Sequence, residues 1–183
     1  KFEKNVCVTN SRIKIQNASA IILPGVGAFK DAISNIEKLG LKKPIIDSIK
    51  NGKPFFGICL GLQLLFTKSE EHGNWYGFDI IKGAVKRFPK KTGLKIPQIG
   101  WNRITIKKNS LIFKDVPDNS YVYFVHSYFG IPEDKKIINT ETLYGMKFAS
   151  SVIKDNIFAS QFHPEKSQNV GLKMISNFLR TVK

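Results

Sequence analysis

The sequence has 183 residues, 42% of them apolar, and its 29 Lys and Arg against 14 Asp and Glu give a formal net charge of +15 at pH 7. That length predicts one domain, which buries about 70% of the surface that its unfolded chain exposes. The two cysteines, Cys7 and Cys59, are too few for a disulfide framework or a zinc site of the usual spacing. No apolar run reaches the roughly 18 residues that a membrane span needs, so we expect a soluble, cytoplasmic protein.

The positive charge is typical of proteins that bind nucleic acids. Arginine, which favours bidentate recognition of phosphate and guanine, is nevertheless rare among the basic residues. The arginines are Arg12, Arg87, Arg103 and Arg180. The lysines are scattered, and no zinc-finger, helix-turn-helix or RNP pattern is present. We therefore interpret the charge as a solvated, lysine-rich surface.

Apolar runs that end at turn residues predict alternating strands and helices in the first third of the chain. Buried parallel strands are predicted at 20–23 and 54–59. Helices are predicted at 30–38, 44–50 and 60–66, and an amphipathic helix at 171–182 closes the chain. Cys7 is expected to be a strand residue without a chemical role.

The pattern changes from residue 77 to about residue 160, where short alternating stretches are separated by turn residues. These stretches are 83–88, 103–107, 121–128, 137–141, 148–153 and 157–161. They predict antiparallel hairpins added to the parallel core. The expected fold class is thus α/β, with a mostly parallel central sheet flanked by helices and an added antiparallel region, in a single domain.

Cys59 stands between Gly57 and Gly61, where a predicted buried strand meets a predicted helix. In this G-x-nucleophile-x-G pattern the glycines relieve crowding at a strained turn that exposes the nucleophile. The N–H groups of the helix start favour the thiolate, and that of Leu60 is available to an oxyanion. A cysteine can also be a small apolar core residue. The two glycines and the strand–helix junction favour the nucleophile.

A cysteine nucleophile needs a base, and the three histidines are His72, His126 and His163. His163 follows a predicted strand and has a carboxylate, Glu165, two residues later. Glu165 can hold one imidazole nitrogen while the other faces Cys59. An H-x-E pattern alone is weak evidence, because a surface histidine is the ordinary case. Together with the pattern around Cys59, it makes His163 the best candidate base.

A second glycine-rich segment, 24–28, also follows a predicted buried strand. Loops after parallel strands collect at one edge of the sheet, so this loop and Cys59 are expected to share a crevice. Its small residues let backbone amides approach an anion or an oxyanion closely. An ordinary strand-to-helix turn is the alternative. No GxGxxG or Walker pattern is present, so no nucleotide cofactor is expected, and neither is a metal.

Five segments in order carry a resemblance to a known family. They are PGVGAF at 24–29, GICLGLQLLF at 57–66, IPQIGWN at 96–102, YFVHSY at 123–128 and QFHPEKS at 161–167. With them the sequence resembles the class I, triad-type glutamine amidotransferases, and among these the glutaminase subunits of imidazole glycerol phosphate synthase. The resemblance implies a flavodoxin-like fold and hydrolysis of L-glutamine to glutamate and ammonia through a thioester on Cys59, with His163 as acid and base and Glu165 orienting it.

The resemblance also implies how substrate and partner are bound. Gln63 and Glu71 would contact the substrate glutamine, and the backbone of Ser127 and Tyr128 would hold its α-carboxylate and amino ends. The oxyanion would be received by Val26, Gly27 and Leu60. A (β/α)₈ cyclase subunit would dock over the site and use the ammonia to make imidazole glycerol phosphate and AICAR. Trp101, Tyr123 and Lys166 would lie at or near that interface; as alternatives, the two aromatic residues are core residues and Lys166 is solvated.

Two features depart from the family. The sequence begins at Lys1 without the strand that opens this family, so we expect the domain to lack its first strand. Gln98 and Ile99 stand where His-Met is common before GWN, which weakens the assignment of the ammonia acceptor. Three alternatives therefore stay open: a glutaminase that serves another acceptor such as a surface sugar, a non-catalytic partner-binding module, and a different cysteine hydrolase.

Overall fold

The computed structural model of the chain describes residues 6–90 and 94–182. The α-helices are α1 (Arg12–Asn17), α2 (Phe29–Lys38), α3 (Lys42–Lys50), α4 (Leu60–Gln63) and α5 (Gln168–Leu179). The strands are β1 (Ile21–Gly25), β2 (Phe55–Cys59), β3 (Phe66–Ser69), β4 (Trp75–Tyr76), β5 (Ile81–Arg87), β6 (Gln98–Arg103), β7 (Thr105–Ile106), β8 (Tyr121–His126), β9 (Tyr128–Pro132), β10 (Ile138–Leu143), β11 (Lys147–Lys154) and β12 (Ile157–Ser160). None of the helices in these two ranges has the length and apolar character that a membrane span requires.

A six-stranded sheet in the order β1-β2-β12-β11-β10-β7 forms the centre of the molecule. Strand β2 is parallel to both of its neighbours, β1 and β12, and all five of its residues are buried. The two faces of β2 belong to different core clusters. Phe55 packs in a cluster with residues of α2 and α3, whereas Phe56 packs against Phe178 of α5, with ring centroids 5.2 Å apart. Helices thus cover both faces of the parallel strands, as the continuous apolar pattern predicts.

The predicted antiparallel region is present, and part of it continues the central sheet. Strands β11, β10 and β7 are added edge to edge beyond β12, each antiparallel to its neighbour. The remaining strands form a four-stranded sheet, β4-β3-β5-β9, and a two-stranded sheet, β6-β8. The α/β fold class with an added antiparallel region is confirmed.

The helix predicted at 60–66 is wrong in length, because α4 ends at Gln63 and β3 begins at Phe66. The carbonyls that would continue the helix bond to a distant segment instead. The Leu64 carbonyl accepts from the Phe78 N–H at 2.7 Å, and the Leu65 carbonyl accepts from the Ile80 and Ile81 N–H groups. These tertiary hydrogen bonds override the local helical pattern.

Other predicted bounds also need correction. Cys7 is exposed and belongs to no strand. The stretch 121–128 is two strands that meet at Ser127, and 103–107 is divided between β6 and β7. The last helix begins at Gln168 and ends at Leu179, earlier than predicted. The amphipathic pattern located that helix correctly but not its start. The helix begins two residues after the short 3₁₀ helix Pro164–Lys166 ends.

Candidate active site

Cys59 occupies a strained turn between β2 and α4. Its φ and ψ are 53° and −103°, a conformation that a residue with a side chain rarely adopts. The flanking glycines are needed for close approach of the backbone. A Cβ at Gly57 would lie 2.8 Å from the Gly61 backbone, and a Cβ at Gly61 would collide with the Leu23 carbonyl oxygen. Side chains at these two positions would clash with the backbone, which explains why glycine stands on both sides of Cys59 in the sequence.

His163 lies at the same edge of the sheet as Cys59, because it follows β12, the parallel neighbour of β2. Its side chain is 2% exposed, and its Nδ1 lies 2.7 Å from Oε1 of Glu165. Its Nε2 is buried and makes no hydrogen bond with any described residue. The ring is therefore held through one nitrogen by the carboxylate, while the Cys59 side chain acts on the imidazole electrostatically.

Electrostatics favour a protonated His163. Burial lowers the pKa of its imidazole, but the Cys59 and Glu165 side chains outweigh burial and raise that pKa from 6.5 to about 9. Burial raises the pKa of the Glu165 carboxyl, but its hydrogen bonds to His163 and to the backbone, together with the charges of His163 and Lys166, outweigh burial and leave that pKa below its usual range. The imidazole is therefore protonated at neutral pH, paired with the Glu165 carboxylate on one side and near the Cys59 side chain on the other.

The backbone around His163 is fixed by a buried hydroxyl. The His163 N–H donates to the Tyr123 carbonyl at 2.9 Å. Ser167 Oγ donates to the His163 carbonyl at 2.6 Å and accepts from the Tyr123 N–H at 3.0 Å. The imidazole is therefore positioned by strand β8 as well as by Glu165.

One polar residue at the site was not singled out from the sequence. Gln161 is fully buried, and its Nε2 lies 3.6 Å from Cys59 Sγ, where it donates a hydrogen bond to the sulfur. Its Oε1 accepts from Nε2 of Gln63 at 3.1 Å. The QFHPEKS segment contains Gln161, but its role depends on a contact with a residue about a hundred positions earlier, which no local pattern reveals.

The residues expected to bind glutamine lie around this edge. Nε2 of Gln63 donates to the Tyr128 carbonyl at 3.0 Å, and Ser127 immediately precedes Tyr128 in the junction between β8 and β9. Oε2 of Glu71 accepts from the Phe29 N–H at 2.7 Å, at the start of α2. This hydrogen bond holds the Glu71 side chain next to the end of the 24–28 loop.

That loop lies beside Cys59, as predicted, because Gly25 pairs with Cys59 in the β1–β2 register. Val26 is 76% exposed, and Gly27 has a φ of 99°, a value that favours glycine. Leu60 is the first residue of α4, where backbone N–H groups have no partner within the helix. Among the residues that the structure describes, no group of three or more His, Cys, Asp or Glu is placed to hold a metal ion.

The outer face of the β6–β8 pair lies next to the site and is rich in exposed apolar side chains. Trp101 is 46% exposed, so it is not a core residue, and its ring lies 6.0 Å from that of Tyr123. Lys166 Nζ lies 5.8 Å from the centre of the Tyr123 ring. Ile99 and Tyr121 are also exposed. We call these five residues the outer aromatic face.

Replacing Glu165 with glutamine is expected to lower the pKa of His163. In the wild type that pKa exceeds 6.5, so the protonated imidazole stabilises the fold fully below pH 6.5, and this contribution is lost as the pH rises through about 9. Without the carboxylate this contribution is smaller, and its loss is complete at a lower pH. NMR titration of the imidazole signals measures this directly.

His126 is an internal control for that titration. Its burial holds its pKa at about 4, so its signal should stay unchanged while His163 titrates. A His163 signal that titrates with the same midpoint in the wild type and in Glu165→Gln would contradict the assigned role of the carboxylate.

Comparison with known proteins finds a family and relatives that match nearly the whole chain. The family described as Glutamine amidotransferase class-I matches residues 3–182. The chain is 51% identical over 175 residues to the imidazole glycerol phosphate synthase subunit HisH of Aquifex aeolicus, across 96% of this chain and 84% of the relative. It is 46% identical over 185 residues to the subunit of the same name from Geobacter sulfurreducens, across 97% and 88%.

A crystal structure of a glutamine amidotransferase shares the fold, with a TM-score of 0.71 at 14% identity over 95% of this chain and 84% of that one. The family match covers nearly the whole sequence, and the two relatives align along almost all of it. The chain therefore belongs to the class I glutamine amidotransferase family.

Proposed function

We propose that this chain is the glutaminase subunit of an imidazole glycerol phosphate synthase, which supplies ammonia for histidine biosynthesis in the cytoplasm. The observation that carries the proposal is the strained Cys59 beside a buried His163 whose Nδ1 is paired with Glu165 at 2.7 Å. The relatives named above support the choice of synthase, since both are named as subunits of imidazole glycerol phosphate synthase and the chain aligns with most of their length.

In the proposed reaction, the Cys59 thiolate attacks the side-chain amide carbon of glutamine. The tetrahedral intermediate collapses, the carbon–nitrogen bond breaks, and the protonated His163 gives its proton to the leaving nitrogen, which departs as ammonia. The product is a glutamyl thioester on Cys59. His163, now neutral, takes a proton from a water molecule that attacks the thioester, and glutamate and the thiolate are released.

Backbone groups around Cys59 would stabilise the negative charge that develops on the amide oxygen. The Leu60 N–H lies at the helix start, and the loop at Val26 and Gly27 lies beside Cys59 in the paired strand. We propose that Gln63, Glu71 and the Ser127–Tyr128 backbone hold the substrate, since Gln63 is hydrogen-bonded to the Tyr128 carbonyl and Glu71 to the end of the 24–28 loop.

The ammonia must be kept from water, because ammonium predominates at neutral pH and is not nucleophilic. We propose that a (β/α)₈ cyclase subunit docks on the outer aromatic face and receives the ammonia. Exposed aromatic residues with a nearby cation are typical of a protein–protein contact. The Tyr123 carbonyl, which accepts from the His163 N–H, connects this face to the base.

The decisive experiment is a glutaminase assay of the purified chain, alone and with the cyclase subunit and its acceptor ligand. We expect glutamate and ammonia in stoichiometric amounts, with a large stimulation by the partner. Complementation of a strain that lacks its own histidine-pathway glutaminase tests the acceptor. Turnover without complementation would favour an acceptor outside histidine synthesis, whereas no turnover with the partner would favour a non-catalytic module.

Replacing Trp101 with alanine is expected to weaken binding of the cyclase subunit about tenfold or more, because a large aromatic side chain at the centre of an interface often dominates its energy. Titration calorimetry measures the affinity. Tyr76→Ala is the matched control, since Tyr76 is 73% exposed but lies on β4, in a different sheet. Equal affinities for the two variants would remove the outer aromatic face from the proposed interface.

A further inference from the structure

His126 is a buried, titratable residue that the proposed reaction does not use. It ends β8 and is 6% exposed. The rings of Phe88, Phe124 and Phe148 surround it, with centroids 5.2, 5.6 and 5.3 Å from the imidazole. An apolar side chain would suit such surroundings better, since burying a polar ring is costly unless its nitrogens are hydrogen-bonded.

Both nitrogens of His126 have partners, and these partners determine which nitrogen carries the proton. Nδ1 lies 2.8 Å from the Tyr128 carbonyl, which can only accept, so Nδ1 must be the donor. Nε2 lies 3.1 Å from Oε1 of Gln98. Burial, assisted by the nearby His163, lowers the pKa of His126 to about 4, so the ring is neutral at neutral pH. Because a neutral ring that donates at Nδ1 can only accept at Nε2, we assign the Gln98 amide the opposite orientation, with its NH₂ group toward the ring.

The Tyr128 carbonyl is shared by two donors. It accepts from Nδ1 of His126 and also from Nε2 of Gln63, at 3.0 Å. The second hydrogen of Gln63 Nε2 is used by Gln161, which in turn donates to Cys59 Sγ. With both of its amide hydrogens engaged, Gln63 keeps its carbonyl oxygen as the atom that can accept from a substrate.

We propose that His126 is a positioning residue for glutamine: its Nδ1–H fixes the Tyr128 carbonyl, and through it the Gln63 carboxamide and the Ser127–Tyr128 backbone. The inference rests on the proposed function, because it assigns those groups to the glutamine site. Gln98, which departs from the common family pattern, contributes to the same hydrogen-bond network, because it holds the other nitrogen of the His126 ring. His126 itself is not proposed to touch substrate.

Three substitutions separate this role from simple filling of space. Asparagine places an amide NH₂ near the position of Nδ1, glutamine places one near Nε2, and leucine provides neither. We expect His126→Asn to stay within about threefold of wild-type kcat/KM, whereas His126→Gln and His126→Leu lose about tenfold or more, mainly through a higher KM for glutamine. Each assay is run with the partner present.

Two further measurements make the test specific. Alkylation of Cys59 by iodoacetamide, which needs no glutamine site, should change less than about twofold in all three variants, since the thiol and its base are untouched. Val122→Ala is the matched stability control, because Val122 lies on the same strand and is fully buried, but its apolar side chain cannot take part in the hydrogen-bond network. Its KM should equal that of the wild type.

The outcomes are distinct from those that test the proposed function. A wild type that hydrolyses glutamine, together with a His126→Leu KM equal to that of the wild type, overturns the positioning role alone. Equal losses in His126→Asn and His126→Gln overturn it as well, and this pair decides the matter if the leucine variant does not fold. A wild type without glutaminase activity overturns the proposed function, and the positioning role falls with it.

Discussion

Replacement of Cys59 by alanine is expected to abolish glutamine hydrolysis, lowering kcat by a factor on the order of 10⁴ or more. The thioester needs the sulfur, and neither the backbone donors nor His163 can replace it. Glutamate release in the presence of the cyclase subunit measures the effect. A glutamine-like electrophile should label the wild type at one site, detected as a single mass increment on the peptide that contains residue 59.

Cys7 supplies the control for this experiment. It is the other thiol, and it is exposed rather than buried. Cys7→Ala should keep full turnover and full labelling. Turnover that survives in Cys59→Ala would show that the nucleophile lies elsewhere, and labelling that disappears in Cys7→Ala would show that the electrophile reports surface reactivity.

Replacement of Gly61 by alanine is expected to destabilise the protein by about 3 kcal/mol or more, in the range of the largest single-residue effects. The new methyl group would collide with the carbonyl oxygen of Leu23, which belongs to the backbone of β1 and cannot rotate away as a side chain would. To relieve the collision, β1 and α4 must separate, and this would also displace the loop next to Cys59. Urea denaturation measures the free energy of unfolding.

Gly52→Ala is the matched control for this substitution. Gly52 has a φ of 81°, which strains any added side chain, but a Cβ there meets no atom within 4 Å. Its expected cost is only about 1 kcal/mol, the ordinary penalty for a non-glycine residue at positive φ. Gly61 lies in α4 and is not at positive φ, so a loss of stability no larger than that of Gly52→Ala would show that β1 and α4 accommodate the added methyl group.

The sequence was most informative where a function needs residues that are close together in the chain. The glycines around Cys59 predict a strained turn, because that turn permits no larger residue at Gly61. His163 and Glu165 could be predicted as a pair because they are only two residues apart. Gln161 and His126 were not assigned roles, since their importance comes from contacts with Cys59, Tyr128 and Gln98 across the fold. Hydrogen-bond partners of this kind leave no periodic pattern.

Strand β6 shows why some elements were missed. The usual alternation buries apolar residues and exposes polar ones, but here Gln98 is buried while Ile99 and Trp101 are exposed. The inversion places Gln98 beside the His126 ring on the inner side and leaves apolar side chains exposed on the outer side, where we propose that the partner docks. A prediction that looks for a buried apolar face therefore does not identify β6 as a strand.

The pairing of β2 with β12 also determines how the chain reaches its active form. Phe55 lies beside Ile157, although about a hundred residues separate them in sequence. Such a non-local contact forms slowly, because the chain loses the entropy of closing a long loop before the contacts of the paired strands stabilise it. Cys59 and His163 come together only when this pair is made. In a newly synthesised chain, Cys59 therefore lacks His163 beside it until β12 has formed and paired with β2.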